Sequence, residues 1–161
     1  MIEDMDNTPT KKVESYLNKF QTADKDVENY IEDTIDTDSD FTPDQIEEYK
    51  KLLRDNYQKM TYKIKNEEIN GDKATVTAEI TVIDYTKAID DIENYYETKD
   101  EDVNNNDENI MSYAEYKINK LKEVKDTATY TIDFELEKVD DVWTLQNPDQ
   151  EIMQKINGIY K

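Results

Sequence analysis

Residues 61–82 read TYKIKNEEINGDKATVTAEITV, and residues 127–136 read TATYTIDFEL. In the first stretch Ala74, Val76, Ala78, Ile80 and Val82 fall on one phase of a period of two, with Thr75, Thr77, Glu79 and Thr81 on the other. That pattern predicts a strand with one buried and one wet face, which belongs to an antiparallel sheet rather than a parallel one. Asn70-Gly71 just before it predicts a tight hairpin, because both central positions of such a turn want positive φ. Tyr62 and Ile64 then lie on a preceding strand that ends near Ile69. The second stretch repeats the alternation, with Ala128, Tyr130, Ile132, Phe134 and Leu136 inward and Thr129, Thr131, Asp133 and Glu135 outward. Asp140-Asp141 turns it into a fourth strand carrying Trp143 and Leu145.

Outside these stretches the apolar period changes to that of a helix. Thr8 and Pro9 predict an N-cap and first helical residue, followed by Val13, Tyr16, Leu17 and Phe20 on one face. Val27, Tyr30, Ile31, Thr34 and Ile35 mark a second stripe. Thr42-Pro43 with Gln45 forms a capping-box signature for a third helix bearing Ile46, Tyr49, Leu53 and Tyr57. Between the hairpins, Ala88, Ile89, Ile92 and Tyr96 predict a fourth helix. A polar loop is expected from Glu97 to Asp107, and Met111, Ala114, Ile118 and Leu121 predict a fifth helix. A short helical tail closes the chain. The fold class is α+β: a curved antiparallel sheet of two hairpins, about four strands, packed against N-terminal and inserted helices. Residues 1–8 are expected as a flexible lead-in and residues 9–161 as a single domain.

Composition narrows the chemistry. The 161 residues carry a net charge of −20, with 40 acidic and 20 basic side chains. Mean hydropathy is −1.04. Leu, Ile, Val and Phe make up roughly a fifth of the chain, close to the composition of disordered proteins. Twelve tyrosines and one tryptophan argue for a folded chain, since aromatics bury large areas. The chain has no histidine and no cysteine. That excludes disulfides, thiolate nucleophiles, Cys/His zinc sites and Ser-His or Cys-His catalysis. The negative field repels nucleic-acid phosphates and anionic headgroups. No stretch is apolar over the length of a membrane span. The opening MIEDMDNTPT lacks the apolar region of a signal peptide, so the chain is expected to be cytoplasmic or the mature part of an exported protein.

Three segments together carry a resemblance: TPTKKVESYLNKFQ from Thr8, TYKIKNEEINGDKATVTAEITVIDYTKA from Thr61, and TYTIDFELEKVDDVWTLQNPDQEIMQKINGIY from Thr129. The chain resembles uncharacterised lipoproteins of Gram-positive bacteria, which carry a lipobox leader and then a cystatin-like, nuclear-transport-factor-two-like domain. The resemblance implies helices in the concavity of a curved sheet and a native form tethered outside the cytoplasmic membrane. No lipobox cysteine is present, so the lipid tether would lie upstream of residue 1. The family brings no catalytic residues to carry over.

Four local features are candidate sites, each with a plainer explanation. Asp36, Asp38, Asp40, Asp44 and Glu47 occupy positions 1, 3, 5, 9 and 12 of a calcium loop. Phe41 stands where that loop requires Gly, and Pro43 already opens a helix, so an acidic connection between helices is favoured. Asp84 and Tyr85 have the types of a carboxylate base and hydroxyl donor in an apolar pocket, as in ketosteroid isomerase. Capping of the helix that starts near Thr86 explains Asp84 more simply. Tyr95, Tyr96, Tyr113 and Tyr116 could line a groove for sugar or peptide, but aromatics at helical spacing usually pack. The stretch Asp90–Asn109 could attract a basic partner, although charge runs are usually solvated faces.

No catalytic residue, metal ligand or cofactor is assigned from the sequence, and the ligand-binding residues stay unknown. The expected partner is an unknown protein or small molecule, and the expected class is a non-catalytic extracytoplasmic binding or accessory domain. A small-ligand binder with a cavity between sheet and helices is the alternative, and a carboxylate- and tyrosine-based enzyme is disfavoured. Self-repulsion at −20 should weaken the folded state at low ionic strength. Raising salt to physiological strength, where screening acts over about 8 Å, should raise the melting temperature; an unchanged or lower value in a calorimetric scan would contradict this.

Overall fold

The computed structural model describes residues 5–35, 41–101 (backbone alone for 98–101) and 112–161. The alternating stretches form the middle of a four-stranded antiparallel sheet in the order β1-β2-β3-β4. Here β1 is Thr61–Asn70, β2 Lys73–Ile83, β3 Thr127–Val139 and β4 Val142–Leu145. The register of β2 on β3 sets Val76 opposite Phe134, Ala78 opposite Ile132 and Ala74 opposite Leu136. These six side chains are all buried, while Thr129, Thr131, Asp133 and Glu135 are exposed. Burying a large apolar side chain of this kind contributes about 1.5–3 kcal/mol. On the wet face Thr75 and Thr77 donate hydrogen bonds across the strands to Glu135 and Asp133, at 3.0 and 2.6 Å.

Six helices complete the described residues: α1 Pro9–Thr22, α2 Lys25–Ile35, α3 Pro43–Gln58, α4 Thr86–Glu101, α5 Tyr113–Glu123 and α6 Gln150–Ile156. The first starts where the sequence predicts, with the Thr8 hydroxyl accepting from the Lys11 N–H at 3.1 Å. Both halves of the predicted capping box are present at α3. Val13, Leu17 and Phe20 from α1, and Val27, Ile31 and Ile35 from α2, join the inner sheet face in the main core. The inserted helices α4 and α5 do not enlarge that core. Instead Ala88, Ile92 and Leu121 gather in one smaller cluster, and Ala114 and Ile118 with Phe41 in another.

Three details differ from the sequence reading. The first hairpin turns on Gly71-Asp72, because Asn70 pairs with Lys73 and belongs to the strand. Gly71 alone has positive φ there, at 66°, which matches a turn with Gly at its first central position. A bulge between Ile64 and Asn66 explains the shift: it reverses the phase of β1 and brings Glu67 opposite Val76 on the inner face. From there Glu67 accepts the Thr10 N–H at 3.0 Å and hydroxyl at 2.9 Å, a carboxylate at the positive end of α1. Second, α4 runs through Glu101 where a loop was expected from Glu97, since Glu and Lys are good helix formers. Third, Asn7 lies in the expected lead-in yet bridges to the second hairpin. Its side chain donates to the Asp141 carbonyl at 2.8 Å and accepts the Trp143 N–H at 2.9 Å.

After α6 the chain returns to the end of β2. Gly158, with φ of 71°, offers its carbonyl to the Tyr85 N–H at 2.8 Å. A Cβ at this position would stand 1.9 Å from the Ile83 carbonyl oxygen, whereas one at Gly71 would meet nothing. Gly71→Ala should therefore cost only the left-handed strain, about 1–2 kcal/mol. Gly158→Ala should cost clearly more, because backbone must also move. Equal losses of unfolding free energy in urea would show that the close approach at Gly158 is not what holds the C-terminus.

Candidate functional site

The main core and the smaller cluster of Ala88, Ile92 and Leu121 meet at the end of β2, and packing there is incomplete. A cavity of about 290 Å³ opens between α2, α3, α4, α5 and the C-terminal segment. Its wall is apolar for the most part, from Leu53, Val82, Ile83, Ile89, Leu121 and Ile156. The size lies near the lower end for small-molecule sites, about 300–1,000 Å³.

The polar groups of the wall fall into two kinds. One set is mutually satisfied: the Tyr57 hydroxyl donates to Asn157 Oδ1, and Asn157 Nδ2 donates to the Tyr30 hydroxyl at 3.2 Å. This chain of bonds ties α3 to the C-terminal segment and to α2. The other set is not satisfied. Asn56 Nδ2 and the Tyr85 hydroxyl are buried and have no hydrogen-bond partner among the described residues. Leaving such a group unpaired costs about 1–3 kcal/mol, so native structures keep few of them and each calls for a reason. Both lie on residues of this one cavity. The cation of the wall is Lys117, whose ammonium lies over the Tyr49, Phe41 and Tyr113 rings at 5.1, 5.7 and 6.0 Å. No carboxylate belongs to the wall among the described residues.

Burial pushes the Tyr57 and Tyr85 hydroxyls far above the usual tyrosine range, with neighbouring tyrosines adding to the effect. Both are therefore neutral donors at physiological pH. The same cause pushes Tyr16 up to about 12.

Of the four sequence candidates, one residue of one pair reaches this site. Tyr85 lines the cavity, but Asp84 does not. The Asp84 carboxylate instead accepts the Thr86 N–H at 3.0 Å and hydroxyl at 2.7 Å, holding the start of α4. The base-and-donor pair is thus not assembled. The tyrosine row packs on itself between α4 and α5. Tyr95 stacks on Tyr116 with centroids 3.8 Å apart, and Tyr96 meets Tyr113 edge-on at 5.0 Å. The stack takes up one face each of Tyr95 and Tyr116, while Tyr96 stays 47% exposed.

Asp36, Asp38 and Asp40 of the calcium-loop candidate lie outside the described residues. Of the remainder, Phe41 is buried and stacked on Tyr49, Thr42 caps α3, and Glu47 approaches Lys50 at 3.7 Å. Among the described residues no three acidic side chains gather as a metal site would require. In the acidic stretch Asp90–Asn109, Asp90 pairs with Lys161 and Asp91 approaches Lys120 at 4.0 Å; residues 102–109 lie outside the described residues.

No protein-family model matches the chain, and no curated protein matches it in sequence. Among solved structures it is similar to ycdA of Bacillus subtilis strain 168, a protein provisionally classed as a lipoprotein. The TM-score is 0.52 at 18% identity, over 84% of this chain and 46% of that one. The chain thus spans about half the length of this structural neighbour, and the likeness is one of fold. No described helix is long and apolar enough to cross a membrane.

The raised hydroxyls give a signed pH dependence. In the unfolded chain tyrosines ionise near pH 10, whereas buried Tyr16, Tyr57 and Tyr85 keep their protons in the fold. Their contribution to stability is full below about pH 10 and is lost as pH rises beyond it. An alkaline titration followed by tyrosinate absorbance should show exposed tyrosines ionising first and the buried ones only with unfolding. Ionisation of all twelve in one step near pH 10, with the fold intact, would contradict this assignment.

Proposed function

We propose that this chain is a non-catalytic, ligand-binding domain that acts outside the cytoplasmic membrane as part of a lipid-tethered surface protein. The observation that carries the binding half is the mostly apolar cavity, two of whose lining residues hold a buried hydrogen-bonding atom with no partner among the described residues. A core under selection for stability alone would place Leu and Phe at those positions. Binding, not turnover, is favoured because the chain has no His or Cys, and its one base-and-donor candidate is separated. The exported half is supported by the fold likeness to ycdA together with the resemblance to lipoproteins of Gram-positive bacteria. A sheet covered on one face by helices is compatible with the cystatin-like, nuclear-transport-factor-two-like arrangement of that group. Among the three functional classes weighed from sequence, the small-ligand binder therefore moves ahead of a purely accessory role.

The cavity is tested by occupation. A two-ring hydrocarbon such as tetralin should shift amide resonances around Leu53, Ile89 and Leu121, and at a hundredfold excess over Kd should stabilise the fold by about 2.7 kcal/mol. Leu121→Trp, which fills the space, should abolish the shifts while leaving the sheet resonances in place. Shifts elsewhere, or shifts unaffected by the filling variant, would defeat the assignment. Export is tested separately from the gene: an upstream leader ending in a lipobox cysteine is expected, and a ribosome-binding site directly before residue 1 would remove it.

A further inference from the structure

We infer that the cavity at the end of β2 selects a small apolar molecule bearing a neutral carbonyl oxygen, received by Asn56 Nδ2 and the Tyr85 hydroxyl. This rests on the binding reading above and adds the chemistry of the ligand. An amide nitrogen can only donate, and a neutral phenol donates readily. Both atoms are buried and have no partner among the described residues, so the complement they lack is an acceptor. Asn56 and Tyr85 both line the cavity, whose wall is mostly apolar and whose volume is about 290 Å³. An engineered cavity of about 150 Å³ takes one benzene ring, so this one has room for about two rings or an equally bulky aliphatic body.

The charges of the wall narrow the choice. No described carboxylate lines the cavity, and the Lys117 ammonium does, so a cationic ligand meets repulsion and finds no counter-ion. A carboxylate ligand would have to approach a chain of net charge −20, and the Lys117 charge is already engaged with three aromatic faces. A ketone, ester or amide oxygen avoids both costs.

A matched series decides the matter: tetralin, α-tetralone and protonated aminotetralin, titrated against the whole chain with amide shifts as the readout. The ketone should bind about tenfold tighter than the hydrocarbon, and the amine weakest. Tyr85→Phe and Asn56→Leu should each remove about threefold of the ketone's advantage over tetralin, both ligands being measured on the same variant. Neither change should lower the melting temperature of the ligand-free protein, because neither atom has a hydrogen bond to lose among the described residues. That readout separates a ligand-receiving donor from a structural one.

Equal binding of ketone and hydrocarbon overturns this inference and leaves the cavity reading standing. Absence of binding by all three overturns both. A melting temperature lowered by Tyr85→Phe would mean that the hydroxyl already serves the fold, and the inference fails. Should a variant not fold, the wild-type series alone still decides between ketone and hydrocarbon.

Discussion

The apolar face of the β2–β3 pair has to be kept from water, and the chain has few residues with which to do it. Each strand of that pair is amphipathic along its whole length, so one face is fixed as core before any helix is placed. Helices α1 and α2 meet this need with three fully matched apolar positions or more apiece. The bulge in β1 belongs to the same solution, because it turns Glu67 to the inner side, where it fastens α1 across the sheet. All this is done without burying charge. Among the described residues no charged side chain is buried, so the acids stay in water where they cost least.

Helix α3 cannot serve the sheet alone. Tyr49 packs against the main core and against both smaller clusters formed by α4 and α5, and Leu52 and Leu53 look to different sides. Only Tyr57 on this helix is buried. A helix shared between two cores leaves a seam, since the side chains of three surfaces do not interdigitate to full density there. The cavity lies on that seam. Its far wall is supplied by the C-terminal segment, which comes close enough to Ile83 only because residue 158 lacks a Cβ. The site is therefore a by-product of how the insertion is accommodated, with polar atoms placed where a pure packing solution would have none.

The sheet was legible because its signals are local. A period of two, the turn residues and the capping box at Thr42 each act over a few positions, and the structure follows them in β2, β3, the second hairpin and α3. The slip of one residue at the first hairpin arose because Asn70-Gly71 and Gly71-Asp72 both suit tight turns, and the bulge that decides between them has no sequence mark. The run from Glu97 carried a composition equally fit for loop or helix. The cavity was not legible at all as a place. Tyr30, Leu53, Val82, Tyr85, Leu121 and Asn157 come from separate elements, and no spacing connects them. Asp84-Tyr85 drew attention for the wrong member of the pair: the carboxylate is taken up by Thr86, and Tyr85 lines the cavity. Asn56 gave one weak sign, since Asn inside a helix sacrifices propensity.

The two electrostatic scales of the molecule act in opposite directions on a ligand. At long range 40 acids against 20 bases repel any anion, and this field acts mainly on the rate of approach. At contact range the lining residues Asn56, Tyr85 and Lys117 bring two donors and an ammonium, all of which favour negative or partly negative atoms. Screening over about 8 Å weakens the first effect in salt and leaves the second, which is sheltered from solvent, almost intact. A carboxylate would gain at contact what it lost on approach, and would also have to be desolvated in an apolar space with a cation already held over rings. A carbonyl group carries its partial charge without a net one. It escapes the outer field and still satisfies both donors, and so it is the chemistry on which the two scales agree.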